Sequence, residues 1–339
     1  MSRVIASFWN PIVAKEYRSR MRTWRSPLAM TVYVVLIAGL GYAMFSSMAR
    51  SNSGYSGSVP NYGVTLFKYL VVFQMVLITL VTPALTAGAI SGERERQTID
   101  LLFVTRIPPF SIIWGKLLAS MSFVVLLLLL SVPIFSLVFL FGGIELDQVL
   151  YSFLVTIVAA LTLGLIGVAF STWLRRTLAS TVASYMAAFL IVFGTVAFGM
   201  IFPTKIDPNS TSVPAPPAVT YLSPIVPLVA IADNGQPLVN YLTRYDYQSG
   251  PFSAQSGTVC KSLPNGAAAC SSIGPGNGPV ANAPGTAIPT GVFKGWQYWQ
   301  ATVLLQLAIG LFALLVSAVL LPPVRRLPWR RPRPAAVTA

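Results

Sequence analysis

The sequence predicts an all-α integral membrane protein, and three observations carry that fold class. Of its 339 residues, 55% are hydrophobic and only 9% are charged, whereas a soluble protein carries about a quarter charged residues. Apolar runs of bilayer-spanning length, about 20 residues, recur six times: Leu28–Met48, Thr65–Ile90, Phe110–Phe141, Gln148–Trp173, Ala179–Phe202 and Gln297–Leu321. None shows the short alternating pattern, about ten residues per strand, of a transmembrane barrel. In lipid the backbone must satisfy its own amides within each segment, so these runs are expected as six helices.

Before the first span, residues 1–26 are basic. Asn10-Pro11 suits a helix start. Beyond it Val13, Tyr17, Met21 and Trp24 share one helical face, with Lys15, Arg18, Arg22 and Arg25 opposite. That pattern predicts an amphipathic interfacial helix, with Arg20 snorkelling from the apolar side; a basic flank that only fixes topology is the alternative. No cleavable signal peptide is expected, because this stretch is too charged and the first apolar run is a full span.

Residues 27–202 are expected to hold spans one to five. A Ser/Gly-rich loop, Ala49–Val64, follows the first span. Pro83 in the second span and Pro133 in the third are expected kink sites. The third run, at about 1.5 Å per residue, is longer than a hydrocarbon core of about 30 Å and must tilt, kink or protrude. Gly142–Asp147 and Leu174–Leu178 are tight connections, the second carrying Arg175 and Arg176. Residues 203–296 hold 14 prolines and 10 glycines, a composition for irregular structure. Within them Tyr221–Ala232 is apolar but too short to span, and is expected as a re-entrant or interfacial piece packed on the bundle. Residues 297–321 form the sixth span, and 322–339 a basic tail.

Charge sets the orientation. Placing both termini, the 91–116 region and the 174–178 loop on one side gives that side 17 of the 23 Lys/Arg residues. This positive-inside bias predicts cytoplasmic termini. It also accounts for the net charge of +14 without nucleic acid, which is not expected as a partner. Cys260 and Cys270, the only cysteines, then fall outside, where they form a disulfide or remain two thiols.

The chemistry is mostly absence. The chain has no histidine, so His-based acid–base catalysis and His-ligated metal sites are excluded. Gly115-Lys116 lacks the upstream glycine of a Walker A loop. No catalytic, cofactor or metal site is expected. No Asp or Glu lies inside a span, although ion-coupled carriers commonly place ionisable groups there. Lys68 and Lys116 lie near span ends, where snorkelling is expected. The uncharged polar residues within the spans are expected mainly to hydrogen-bond between helices.

Against this background Ser91–Pro109 stands out, with Glu93, Glu95 and Asp100 beside Arg94 and Arg96. A helix is expected over about 91–106. Acids lie at its positive end and Pro108-Pro109 begin the next span. Ile99, Leu102 and Phe103 share a face, yet Leu101 and Val104 make the last turn apolar on other sides too. That favours insertion into a protein groove over a helix resting on lipid.

At these residues the chain resembles the permease subunits of type-2 ATP-binding-cassette (ABC) exporters. That family has an E-R-E-x-G-T-x-E-x-L-L-like string after its second span, then a T-P segment, then G-K-L at the third. Here ERERQTIDLLFVTRIPP precedes Trp114-Gly115-Lys116-Leu117-Leu118. Gln97 stands where the family usually has Gly, and Asp100 where it has Glu. The outer segment is longer than the family's compact helical pair. NPIVAKEYRSRMR is similar to its N-terminal helix.

The resemblance implies cytoplasmic ABC ATPase subunits as partners and a second permease subunit, identical or not. It makes 91–106 a coupling helix, with Glu93, Arg94, Glu95, Arg96, Thr98, Asp100, Leu102 and Phe103 engaging the ATPase. The function it implies is ATP-driven export by alternating access across the plasma (inner) membrane of a prokaryote. The charge-poor spans point to an uncharged, amphipathic or lipid-like cargo. A membrane scaffold or sensor that docks an ATPase, and a lipid-modifying enzyme, are the other readings.

Overall fold

A computed structural model describes residues 24–51, 62–97, 109–202, 204–206, 218–232, 243–245, 258–262, 268–272 and 297–320. The expected N-terminal amphipathic helix, the basic tail and the coupling residues Thr98, Asp100, Leu102 and Phe103 lie outside the described residues. Helices α1 (Arg25–Ser51), α2 (Tyr62–Thr86), α3 (Ser91–Glu95), α4 (Pro109–Phe141), α5 (Leu146–Trp173) and α6 (Thr177–Phe189) follow in order. A π-turn, Leu190–Gly194, joins α6 to α7 (Thr195–Ile201). A 3-10 turn, Ala218–Leu222, precedes α8 (Ile225–Ala232), and α9 is Tyr298–Leu320. Six helical stretches among the described residues are long and apolar enough to cross a membrane. The chain is a multi-pass, all-α membrane protein.

Helix α5 is the axis of the bundle. Its start is tied by the Gln148 side chain, which accepts the Glu145 N–H at 3.1 Å. Gly167 lets α2 come close, and Gly164 lets α4 do so. A Cβ at Gly167 would collide with the Thr86 hydroxyl, and one at Gly164 would meet the end of Met121 at 2.7 Å. Helix α9 packs along α5 beside Gly310, where the Thr162 hydroxyl donates to the Gln306 carbonyl at 3.1 Å. Small residues that admit a neighbouring backbone are the usual means of helix packing in lipid, where no hydrophobic force separates helix from tail. Phe67, Phe135 and Phe153 join α2, α4 and α5 edge to face, with centroids 5.9 and 5.3 Å apart. Helix α1 covers this core with Tyr33 and Ile37 and turns most of its remaining surface outward.

Three expectations need correction. First, the polar residues of the spans mostly bond within their own helices: Thr79, Thr86, Ser131, Thr156 and Ser184 donate to carbonyls three or four residues back. A short hydroxyl side chain reaches that carbonyl without any partner helix. Besides Thr162, Tyr185 does cross between helices, donating to the Leu80 carbonyl at 2.8 Å. Leu80 lies three residues before Pro83, whose missing N–H and bulky ring disturb the ladder there.

Second, the fifth span is one membrane-long stretch as expected, Thr177–Ile201, but it is not regular α-helix throughout: the π-turn interrupts it, with the Thr195 N–H reaching the Leu190 carbonyl five residues back. Third, residues 203–296 are not uniformly irregular. Strands β1 (Thr204–Ile206) and β2 (Thr243–Tyr245) pair in parallel, and β3 (Thr258–Ser262) pairs antiparallel with β4 (Ala268–Ser272). The apolar stretch does pack on the bundle: all eight residues of α8 are buried, against α2, α5 and α9.

A candidate coupling site at the basic end of the bundle

One end of the bundle carries the charged segment after α2, the start of α4, the α5–α6 connection and the end of α9. Arg94, Arg96, Lys116, Arg175 and Arg176 gather there. Helix α2 ends at Thr86, and a turn over 87–90 feeds α3 directly, so Gly92 N–H reaches the Gly88 carbonyl and Arg94 N–H reaches the Ile90 carbonyl. The short helix closes at Gln97, whose φ of 57° lies in the left-handed region. The sequence predicted one helix over about 91–106; α3 ends at Glu95, and residues 98–106 lie outside the described residues. Glycine adopts that φ without a Cβ penalty, so Gln97 holds a conformation that a glycine would take more readily.

Three fully buried serines hold this corner. Ser171, in the last turn of α5, accepts both the Ile90 and the Ser91 backbone N–H groups at 2.9 Å. Its own proton goes to the Ser91 hydroxyl at 3.2 Å, and Ser91 donates to the Ala87 carbonyl at 3.1 Å. Ser180 of α6 donates to the same carbonyl at 2.7 Å. A relay of hydroxyls therefore runs from α5 through α3 to α6. Ser91, Ser171 and Ser180 are all fully buried, so these groups are satisfied by one another and not by water.

Charged side chains complete the brace. Lys116, near the start of α4, donates to the Ala89 carbonyl at 2.7 Å and pairs with Glu93 at 2.8 Å. Its side chain is only 9% exposed. The expected snorkelling to water does not occur, because a carbonyl and a carboxylate lie within its reach inside. Arg94 donates to the Thr172 carbonyl at 3.3 Å, one of the carbonyls left free at the end of α5.

Glu95 caps α6 from another element. Its carboxylate accepts the Thr177 N–H and the Thr177 hydroxyl, each at 2.8 Å. The backbone N–H first, then the hydroxyl, with a smaller contribution from the Arg176 charge, hold the Glu95 carboxyl below the ordinary carboxylate range. Arg96, by contrast, is exposed at the tip of the turn.

The structure thus brings Glu93, Arg94 and Glu95 together in one intramolecular brace and leaves Arg96 outward. Sequence reading missed Ser171, Thr172, Thr177 and Ser180. Their signal was four hydroxyl residues flanking the 174–176 connection. Mechanically, residues 87–97 are fastened to α4, α5 and α6 at once, so displacement of this corner is shared among three spans. No curated protein is similar enough to this chain to stand as a relative. The family model described as the ABC-2 family transporter protein matches residues 44–321. That match takes in the brace, five of the six spans and the end of the first, and the chain belongs to the ABC-2 family of transporter proteins.

Proposed function

We propose that this chain is the membrane-spanning permease subunit of an ATP-driven ABC exporter, with residues 91–106 as its coupling segment. The observation that supports this most is the brace. A loop that only connects two spans needs no fully buried hydroxyl relay, no buried lysine pair and no carboxylate cap on a distant helix. A lever that must deliver displacement to several spans needs all of them. In this reading the basic end is cytoplasmic, the membrane is the plasma (inner) membrane of a prokaryote, and a second permease subunit completes the pathway.

Cytoplasmic ABC ATPase subunits receive the tip of the turn at Arg96 and the stretch Thr98–Phe103. Closure of the ATPases on ATP pushes the corner, and the two permease bundles alternate between inward- and outward-facing states. Glu93, Arg94 and Glu95 act by stiffening the lever, and the exposed residues by touching the ATPase. The scarcity of intramembrane charge supports an uncharged, amphipathic or lipid-like cargo. Cys260 and Cys270, which are register partners across β3 and β4, form an extracytoplasmic disulfide: opposed residues of antiparallel strands lie about 4.5–5.5 Å apart at Cα, within disulfide range.

The test is purification from native membranes. The full chain is expected to bring down a Walker A ATPase whose vanadate-sensitive turnover is lost when Glu93–Thr105 is replaced by a Gly/Ser linker. Unchanged assembly and turnover with that replacement would overturn the coupling role. Co-purification without cargo movement in proteoliposomes would favour a scaffold.

A further inference from the structure

The π-turn in the fifth span is gripped from outside its own helix. Ser223 is fully buried and donates to the Val192 carbonyl at 3.0 Å, inside the turn. The same oxygen accepts the Ile225 N–H at 3.3 Å and so caps α8. Val192, also fully buried, shares a core with Ala188 on one side and with Ile225 and Leu228 of α8 on the other. From Val192 to the end of α7 is nine residues, or about 14 Å of helix, so the contact lies well inside the bundle. The 3-10 turn ahead of Ser223 is anchored separately: Tyr221 stacks on Tyr298 at 4.3 Å, and Thr220 and Tyr298 share a hydrogen bond of 2.8 Å.

Below the π-turn, α6 is bound to the basic end. Glu95 caps its first residue, Ser180 holds the Ala87 carbonyl, and Tyr185 holds the Leu80 carbonyl. The fifth span therefore has two separately tethered parts. Its lower part is fastened to the brace and the end of α2, and its upper part packs on the 3-10 turn Ala218–Leu222 that leads into the buried α8. Between them stands a wide turn, a form of helix with poorer hydrogen-bond geometry that occurs mostly as single turns at functional places.

We infer that Ser223 is a positioning residue: its hydroxyl latches the π-turn at Val192 and carries displacement of the lower fifth span into α8. The π-turn is the hinge, Val192 the latch point and α8 the element moved. On the permease reading, α8 is how the brace reaches the far side of the membrane, and only that clause rests on the reading. A π-turn shifts along a helix by exchanging carbonyl partners. A serine that holds one carbonyl from another element fixes which register is populated.

Hydrogen exchange of the full chain in lipid nanodiscs tests this on peptides covering 177–181, 190–198 and 225–232. Loss of one net hydrogen bond in Ser223→Ala is expected to speed exchange in 190–198 about fivefold, and Ser223→Thr to restore it. Glu95→Ala is expected to speed exchange at 177–181 and also at 225–232. In Glu95→Ala/Ser223→Ala the effect at 177–181 persists, and the added effect at 225–232 is lost. The inference is overturned if Glu95→Ala never reaches 225–232, if it reaches there equally without the Ser223 hydroxyl, or if Ala and Thr at 223 behave alike. Should Ser223→Ala not fold, Ser223→Cys, a weak donor, is judged by the same outcomes. No readout needs ATP or a partner, so the latch and the permease reading fail independently.

Discussion

Replacing Ser171 with alanine removes the acceptor of two buried backbone N–H groups at once. Both hydrogen bonds are 2.9 Å, and donors and acceptor lie in fully or almost fully buried residues. Each donor left unsatisfied costs about 1–3 kcal/mol, and water entering the methyl-sized gap offsets part of that, so the docked corner should lose about 2–4 kcal/mol. At 1.4 kcal/mol per factor of ten, amides 90–97 should exchange roughly 30- to 700-fold faster in nanodiscs, with α9 unchanged as internal control. Ser171→Thr keeps the hydroxyl but adds a methyl where there is no room, costing about 1–3 kcal/mol by overpacking. Exchange in 90–97 within threefold of the parent for Ser171→Ala would refute the claim that the hydroxyl relay fastens this corner.

Other outcomes follow from the same geometry. Glu93→Ala should destabilise the chain more than Lys116→Met in thermal unfolding, by about 1–2 kcal/mol, because it strands a buried ammonium whereas Glu93 still reaches water. Exchanging the two charges should not rescue either, since a carboxylate at 116 cannot donate to the Ala89 carbonyl. Gly167→Ala should lower stability by about 1–3 kcal/mol through its collision with the Thr86 hydroxyl. Gly164→Ala should cost less, because the end of Met121 can move aside.

Glu95, whose carboxyl is held below its ordinary value near 4.5, gives the sign of the pH dependence. A depressed folded-state value means its contribution is complete above the unfolded-state value. It is then lost as pH falls through the folded-state one. Protection of 177–181, corrected for intrinsic exchange, should be flat from neutral pH down to about 5 and fall below that. Glu95→Gln should remove the dependence.

Much of the fold was legible because lipid forces the issue. A backbone in hydrocarbon has few options, so six apolar runs become six helices, and their ends in the structure lie within a few residues of the runs. The buried nature of Tyr221–Ala232 was legible from a density of apolar side chains too high for a surface loop. The π-turn was not, since Leu190–Gly194 is as apolar as any helix interior and the register change depends on Ser223, far away in sequence. The charged segment was legible as a site by contrast with its surroundings. Its internal wiring was hidden, because Glu93 and Glu95 on paper look like surface charges. Only the fold brings Lys116 and Thr177 to them. Gln97, a departure from the string that the chain resembles, takes a positive φ that a glycine would adopt without strain.

The account's central claim is that this corner receives work from an ATPase. Arg96 is an exposed side chain of this corner that makes no part of the brace, so a photo-crosslinking residue in place of Arg96, in the full chain in native membranes, tests the claim most directly. The account expects a covalent adduct with a nucleotide-binding ATPase, and a yield that changes when ATP and vanadate are added. Adducts only with lipid, or a protein adduct indifferent to nucleotide, would contradict it.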